Sequence, residues 1–154
     1  MNDDVKVTLS WGNDVQPIAL FIKTNYKTYR DVPLRTIEGI VSWACRHGLC
    51  AAAWRKGTLL PLALLIFRPT DDVKKSNTLN LFYLAWEGNI CYVDMYIDQG
   101  YVFLDALWAC AEASIGKKEF VAFERENKYD SVSIIKAFVL KRKLEHIART
   151  AKSL

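Results

Sequence analysis

Acidic and phenolic side chains alternate along one stretch of this sequence, and together they supply groups that can donate or accept protons. The stretch reads Cys91-Tyr92-Val93-Asp94-Met95-Tyr96-Ile97-Asp98-Gln99-Gly100. Its density of β-branched and aromatic residues predicts a strand over residues 90–97. Because side chains alternate across a strand, one face carries Tyr92, Asp94, Tyr96 and Asp98.

Asp94 is the most informative of these residues because it interrupts an apolar strand. A carboxylate in that position costs stability unless it is paired or solvated. Asp94 therefore lies either in a functional cleft or beside a buried partner such as an arginine. Gly100 ends the strand before a segment with helical spacing. The first turn of that helix would point N–H groups at an anion or an acyl carbonyl, which suits acyl transfer.

His47 is the second candidate for chemistry. It ends a predicted helix that is capped by Thr36 and stopped by Gly48. Paired with Asp94, it would act as a general base or an acyl acceptor whose tautomer the carboxylate fixes. An unperturbed imidazole titrates at about pH 6.5, which suits that role. The alternative is a helix C-terminal histidine whose charged form interacts favourably with the helix dipole.

Weaker candidates complete the set of reactive residues. Glu87, Asp98 and Tyr129 are further candidate acids or bases. Glu87 also fits a plain turn residue, and Tyr129 also fits a surface phenol. The spacing Cys45-x-His47-x2-Cys50 lacks a fourth ligand for a structural zinc site. Without a secretory signal, the four cysteines are expected to be buried thiols.

Composition predicts one α/β domain over residues 1–154. The chain is 51% hydrophobic and 25% charged, with a net charge of +4 that allows an acidic partner. The acidic start Met1-Asn2-Asp3-Asp4 is unlike a signal peptide, and no apolar stretch is long enough to span a membrane. A cytoplasmic protein is the simplest interpretation. The basic tail over about 136–154 fits solvated charge better than nucleic-acid binding.

Periodicity predicts the order of elements. An edge strand over 5–11 precedes a helix capped by Asp14 and reaching Tyr29, and then the helix capped by Thr36. Strands are predicted over residues 50–54, 58–67, 79–86, 90–97 and 119–124, with a polar loop over 69–78. A helix that ends at Gly116 is predicted between the last two strands, and this connection makes the two strands parallel. Its inward face carries Leu104, Leu107, Trp108, Ala111 and Ile115. Residues 131–140 fit strand or helix equally well.

This order resembles the GNAT-like acyltransferase fold: a mixed, mostly antiparallel sheet with one parallel crossover and helices on both faces. The resemblance implies that the crossover helix binds the cofactor, which places Gln99, Gly100 and Tyr101 at the binding position. The family fingerprint there has Gln or Arg, two residues, and then Gly-x-Gly or Gly-x-Ala. This chain reads Gln99-Gly100-Tyr101-Val102-Phe103-Leu104 instead. Without those glycines, ordinary acetyl-CoA binding is not expected.

A branch without that fingerprint is closer in pattern, the toxin-activating lysine acyltransferases. Their strand reads Trp-x-x-Asp, two residues, then Ala-Pro-x-Gly; the spacing from Asp94 to Gly100 matches, while Cys91 replaces the Trp and Ile97-Asp98 replaces Ala-Pro. The resemblance also implies a catalytic His at the position of His47. It implies acyl transfer to a protein amine from acyl-CoA or acyl carrier protein, in a cleft between strands 90–97 and 119–124. The alternative is a non-catalytic adaptor or assembly protein of a phage or mobile element.

Overall fold

The computed structural model describes residues 4–76, 82–125 and 133–134. In these ranges the elements follow the order β1 Val5–Leu9, α1 Val15–Asn25, α2 Leu34–Arg46, β2 Cys50–Arg55, β3 Ala63–Thr70, β4 Ile90–Asp98, α3 Leu104–Ile115, β5 Phe120–Arg125 and β6 Ser133–Ile134. Single 3-10 turns occupy Gly12–Asp14, Lys27–Tyr29 and Gln99–Tyr101. None of the helices in these ranges combines the length and apolar character that crossing a membrane requires.

The strands form a mixed sheet in the order β1-β2-β3-β4-β5-β6. The pairs β1–β2, β2–β3 and β5–β6 are antiparallel. β4 and β5 are parallel, with a register from Ile90 opposite Phe120 to Val93 opposite Phe123. α3 makes the crossover between them, as parallel neighbours require. The predicted α/β fold class is therefore confirmed, and the described part of 131–140, Ser133–Ile134, is strand.

Residue contacts divide the chain into two compact units. The first unit comprises Met1–Ile66 and Met95–Ser114, and the second comprises Phe67–Asp94 and Ile115–Leu154. In the first unit, α1 packs against α2, and the buried residues of this pair include Ile18, Ile22, Ile37 and Val41. Burying each such side chain contributes about 1.5 to 3 kcal/mol, so helix packing supplies much of that unit's stability.

The helix ends confirm one predicted cap position and correct another. Asp14 is the N-cap residue of α1, as predicted, although its side chain makes no capping hydrogen bond to that helix. The Asp14 carboxylate accepts a hydrogen bond from the Trp11 N–H at 2.9 Å, within the 3-10 turn that precedes α1. α1 ends at Asn25 instead of reaching Tyr29. Pro33, not Thr36, is the N-cap of α2, because proline's fixed φ and missing N–H suit the start of a helix. Gly48 does end α2, with φ of +71°.

Two predicted strands also require correction. The strand predicted over 58–67 begins only at Ala63 and continues to Thr70, so it includes Pro69 and Thr70 of the predicted polar loop. In the strand predicted over 79–86, residues 79–81 lie outside the described ranges, and residues 82–86 are turn and irregular backbone. Phe82 and Trp86 are 54% and 47% exposed. An aromatic run at the surface had therefore produced a pattern typical of a buried strand.

Candidate functional site

Asp94 pairs with a buried arginine, the second of the two interpretations of its position. Arg68 on β3 donates from Nε to Asp94 Oδ2 at 2.8 Å and from Nη2 to Oδ1 at 2.7 Å. The Arg68 side chain is fully buried, and that of Asp94 is 15% exposed. Two parallel N–H···O bonds fix the geometry of both groups. The arginine thus compensates the carboxylate that the sequence places in an apolar strand.

The same guanidinium also holds the chain that follows β3. Its Nη2 donates to the Ser76 carbonyl and its Nη1 to the Tyr83 carbonyl at 3.3 Å. The cation lies 5.0 Å from the centre of the Tyr92 ring, which gives a further attractive interaction. All of these residues belong to the second unit. Arg68 therefore anchors described loop residues on both sides of positions 77–81.

The other half of the predicted polar face has a different partner. Asp98 Oδ2 accepts hydrogen bonds from the Tyr96 hydroxyl and from the Phe103 backbone N–H, both at 2.8 Å. The whole residue is only 9% exposed. Phe103 immediately precedes the first residue of α3, so the carboxylate satisfies an N–H at the start of this helix. The two carboxylates of one strand thus stabilise two different parts of the fold.

Gln99, Gly100 and Tyr101 form the short 3-10 turn between β4 and α3, as predicted for a sharp turn before a helix. Gly100 has φ of +75°, a conformation that other residues rarely adopt. Among the described residues that are not its chain neighbours, the nearest atom to a Cβ at this position is Val102 Cγ2, at 3.6 Å. Glycine is required here for the backbone angle and not to leave room for a neighbour. Cofactor binding by these three residues stays a prediction.

His47 lies at the end of α2, and its ring is oriented by the backbone. Nδ1 is 2.8 Å from the Trp43 carbonyl oxygen, and the ring stacks on the Trp43 indole with centroids 4.6 Å apart. A carbonyl only accepts, so Nδ1 carries the proton and Nε2 of the neutral ring is left as an acceptor. The residue is exposed. An oriented, accessible imidazole of this kind can act as a base.

His47 and the predicted cofactor residues Gln99–Tyr101 lie near different parts of α3. The Ser114 hydroxyl donates to the carbonyl of Gly48, the residue after His47, whereas the Gln99–Tyr101 turn precedes Leu104. Ser114 lies ten positions after Leu104 in this helix, a distance of about 15 Å at the usual rise per residue. His47 and the predicted cofactor residues therefore lie near opposite ends of α3. The pairing of His47 with Asp94 stays a prediction, since each has the separate partners described above.

Two of the four thiols, Cys45 and Cys50, are hydrogen-bonded to each other. None of the four cysteines is in a disulfide, and three of them are buried. A hydrogen bond between Cys50 and Cys45 lowers the pKa of the Cys45 thiol and, together with burial, raises the pKa of Cys50 well above its usual value. Burial raises the pKa of the half-buried Cys110. Within the described ranges, no group of three His, Cys, Asp or Glu residues is placed to hold a metal ion.

The rate at which each cysteine is alkylated should depend on the exposure of its thiol and not on its position in the Cys45-x-His47-x2-Cys50 spacing. We expect iodoacetamide to modify only Cys110 in the native protein, and slowly, because its raised pKa leaves little thiolate. Cys45, Cys50 and Cys91 should react only after denaturation, since they are buried. Peptide mapping by mass spectrometry with and without guanidinium measures this. Native labelling of Cys45 or Cys50 as fast as Cys110 would contradict the described packing.

Two residues with structural roles were not found from sequence. Arg68 stands between Phe67 and Pro69 at the end of an apolar run, and a cation at that position is the signal for a buried ion pair. The sequence pattern predicts Asp98 only as an acid or base and gives no signal that its carboxylate would accept a hydrogen bond from the start of the next helix. Glu87 is an exposed turn residue, which matches its simpler interpretation, and Tyr129 lies outside the described residues.

Comparison with known proteins gives structural matches only. No protein-family model and no curated protein sequence matches the chain. The GNAT-like decarboxylase GphF in complex with isobutyryl-CoA is 12% identical, with a TM-score of 0.58 over 80% of this chain and 68% of that one. The loading GNATL domain of CurA from Lyngbya majuscula is 10% identical, with a TM-score of 0.57 over 82% and 68%.

A third match comes from an animal enzyme. The polyamine N-acetyltransferase of Drosophila melanogaster, which forms N-acetylagmatine, is 13% identical, with a TM-score of 0.52 over 82% of this chain and 78% of that one. None of these three is a toxin-activating lysine acyltransferase, so that finer resemblance stays a prediction. At such low identity the similarity shows the fold, and the fold of this chain is GNAT-like.

Proposed function

We propose that this chain is an acyltransferase-like protein that moves an acyl group from a thioester to an amine of a protein substrate. The observation that carries the proposal is the parallel β4–α3–β5 crossover in a fold shared with GNAT-like structures. One of those structures holds an acyl-CoA, which supports a thioester as the donor. Fold similarity alone does not determine activity, so the reaction needs its own residues and its own test.

The chemical step requires a neutral amine and a departing thiol. The amine nitrogen attacks the thioester carbonyl, the C–N bond of the amide forms, and the C–S bond breaks. The base takes the proton that the nitrogen loses, and that proton goes to the thiolate as it leaves. In this proposal His47 Nε2 is the base. The Trp43 carbonyl, at 2.8 Å from Nδ1, fixes the tautomer, a task that the sequence had suggested for Asp94.

The position of His47 limits how the donor can bind. A donor held near the Gln99–Tyr101 turn must carry its acyl group on a long arm that runs along α3 toward Ser114. Such an arm would bridge the roughly 15 Å between the two ends of the helix. Acyl-CoA and acyl carrier protein both present the thioester at the end of an arm of that kind. The proposal therefore requires an extended donor.

Donor binding is the first measurable consequence. A ligand present at about 100 times its Kd should stabilise the folded protein by about 2.7 kcal/mol, or raise Tm by about 5 to 10 °C for a chain of this size. We expect such a shift with an acyl donor in a panel of CoA, acyl-CoA and acyl carrier protein. Differential scanning calorimetry measures the shift.

Replacing the proposed base distinguishes donor binding from acyl transfer. His47→Gln should leave the donor-induced Tm shift intact and lower the rate of amide formation by about 100-fold or more. The same change at the chain's second histidine, His146→Gln, is the matched control and should retain the rate. If the donor raises Tm and the wild type, His47→Gln and His146→Gln form the amide at equal rates, His47 is not the base.

A second candidate function is a non-catalytic adaptor or assembly protein. It is favoured by a specific observation: Arg68 engages both Asp94 oxygens, so that carboxylate serves the fold and is not presented to a substrate. An adaptor predicts no stabilisation by any donor in the panel. That result would overturn the acyltransferase proposal and leave this one.

A further inference from the structure

Asp98 occupies the start of α3 in a way that bears on the donor. Its carboxylate accepts the Phe103 N–H at 2.8 Å and is fixed by the Tyr96 hydroxyl at 2.8 Å on the same oxygen. At 9% exposure the residue is buried, and burial of a carboxylate is tolerated only with such hydrogen bonds. The chain's own anion therefore sits at the positive end of a 12-residue helix.

The first turn of a helix is where a diphosphate ligand would otherwise bind, because unpaired N–H groups and the helix dipole both attract anions. Here a negative charge is already in that place and one N–H is already used. A second anion would meet like-charge repulsion at close range in a partly buried site. Diphosphate binding at this turn is therefore opposed by the protein itself.

We infer that Asp98 is a specificity residue that excludes diphosphate-bearing donors such as CoA from the start of α3, and that the donor is an acyl group presented on a carrier protein. This inference rests on the proposed function for its second part. The covalent arm of a carrier protein needs no diphosphate held by α3, because contacts between the two protein surfaces position it. A carrier-borne acyl group is therefore the donor that can bind without a diphosphate at the start of α3.

The residues around Asp98 agree with this exclusion. Close approach of backbone to a diphosphate requires glycines, and positions 99–104 contain only Gly100, which the positive φ of the turn already explains. Val102 is 63% exposed, so the surface next to this turn carries an apolar side chain, which gives a charged ligand no favourable contact. The chain's net charge of +4 also suits a partner with an acidic surface.

The test measures anion binding in charge variants. Asp98→Asn keeps an oxygen that can accept the Phe103 N–H and removes the negative charge, while Asp98→Ala removes both. Asp105→Asn is the matched control, because Asp105 lies in the first turn of the same helix and is exposed. Calorimetric titration uses three probes: inorganic pyrophosphate, CoA and pantetheine, which lacks the diphosphate. Circular dichroism and Tm establish that each variant is folded.

The wild-type protein should bind CoA no more tightly than pantetheine and should not bind pyrophosphate measurably. Asp98→Asn or Asp98→Ala should gain affinity for CoA and pyrophosphate by about tenfold or more, equivalent to the loss of one unfavourable charge contact. Asp105→Asn should change affinity by less than about threefold, since an exposed charge is screened by water. Tight pyrophosphate binding by the wild type, unaffected by either Asp98 variant, would overturn the exclusion.

The two proposals fail in different ways. If the Asp98 variants gain pyrophosphate binding but no carrier protein stabilises the wild type, the exclusion holds, and the proposed function and the carrier-borne donor fail. If a carrier protein and CoA stabilise the wild type equally and CoA exceeds pantetheine by tenfold, the acyltransferase proposal holds and the inference about Asp98 fails.

Discussion

Asp94→Ala is expected to lower the free energy of unfolding by about 3 to 5 kcal/mol, the usual cost of removing one partner of a buried ion pair. The variant leaves the fully buried Arg68 guanidinium without its bidentate carboxylate. Its described contacts to the Ser76 and Tyr83 carbonyls are with neutral groups and do not neutralise the charge. Urea denaturation, with the midpoint and slope both recorded, measures the loss.

Two control experiments make this prediction specific to burial. Asp4→Ala removes a carboxylate 3.9 Å from Arg55 in a pair whose side chains are 47% and 43% exposed, and should cost less than about 1 kcal/mol. Replacing both buried partners, as Arg68→Met with Asp94→Leu, should recover much of the loss, because no uncompensated charge remains. Equal, small effects for Asp4→Ala and Asp94→Ala would contradict the structural role of the Arg68 pair.

Gly88→Ala is expected to destabilise the protein by about 3 kcal/mol, at the upper end for added volume in a packed site. A Cβ on Gly88 would overlap the Thr70 carbonyl group and approach the Asp71 nitrogen to 2.6 Å. These are backbone atoms, so no flexible side chain can move aside. The last residue of β3 and the turn before β4 must separate to admit one methyl group.

The control for Gly88 is another glycine with open surroundings. Gly39 lies inside α2, and apart from the helix's own backbone and the adjacent residues, no atom of the described ranges comes within 4 Å of an added Cβ. Gly39→Ala should therefore stabilise the protein by about 0.5 to 1 kcal/mol through helix propensity. The two substitutions are chemically identical and opposite in expected sign. A Gly88→Ala variant as stable as the wild type would show that Thr70 and Gly88 do not pack as described.

The fold was largely predictable because its strongest signals are periodic. The α3 stripe of Leu104, Leu107, Trp108, Ala111 and Ile115 was predicted to face inward, and all five residues are buried. A helix between two short apolar strands leaves a parallel crossover as the natural connection. Glycines with positive φ end α2 and α3 where the sequence places Gly48 and Gly116.

The site was less predictable because its contacts join residues that are distant in sequence. Arg68 and Asp94 are 26 positions apart, and no local pattern relates them. The sequence indicated only that Asp94 needed a partner or a cleft. Asp98 is only five residues from Phe103. However, the alternation of side chains along a strand predicts which face of the sheet Asp98 lies on, and it does not predict a hydrogen bond to the next helix. The strand prediction over 82–86 was wrong for a related reason, because the hydrophobicity of a residue does not determine whether its side chain is buried.

The most direct test of whether Asp98 keeps a diphosphate from the start of α3 follows the NMR signal of the Phe103 backbone amide while CoA is titrated into isotope-labelled wild-type protein. This N–H is the group that Asp98 holds at the start of α3, so its NMR signal reports any anion that replaces the carboxylate. We predict that the wild-type signal keeps its position up to millimolar CoA, and that the signal moves on titration in both Asp98→Asn and Asp98→Ala. A saturable shift in the wild type would show that a diphosphate displaces the Asp98 carboxylate, and it would contradict the exclusion of CoA from the start of α3.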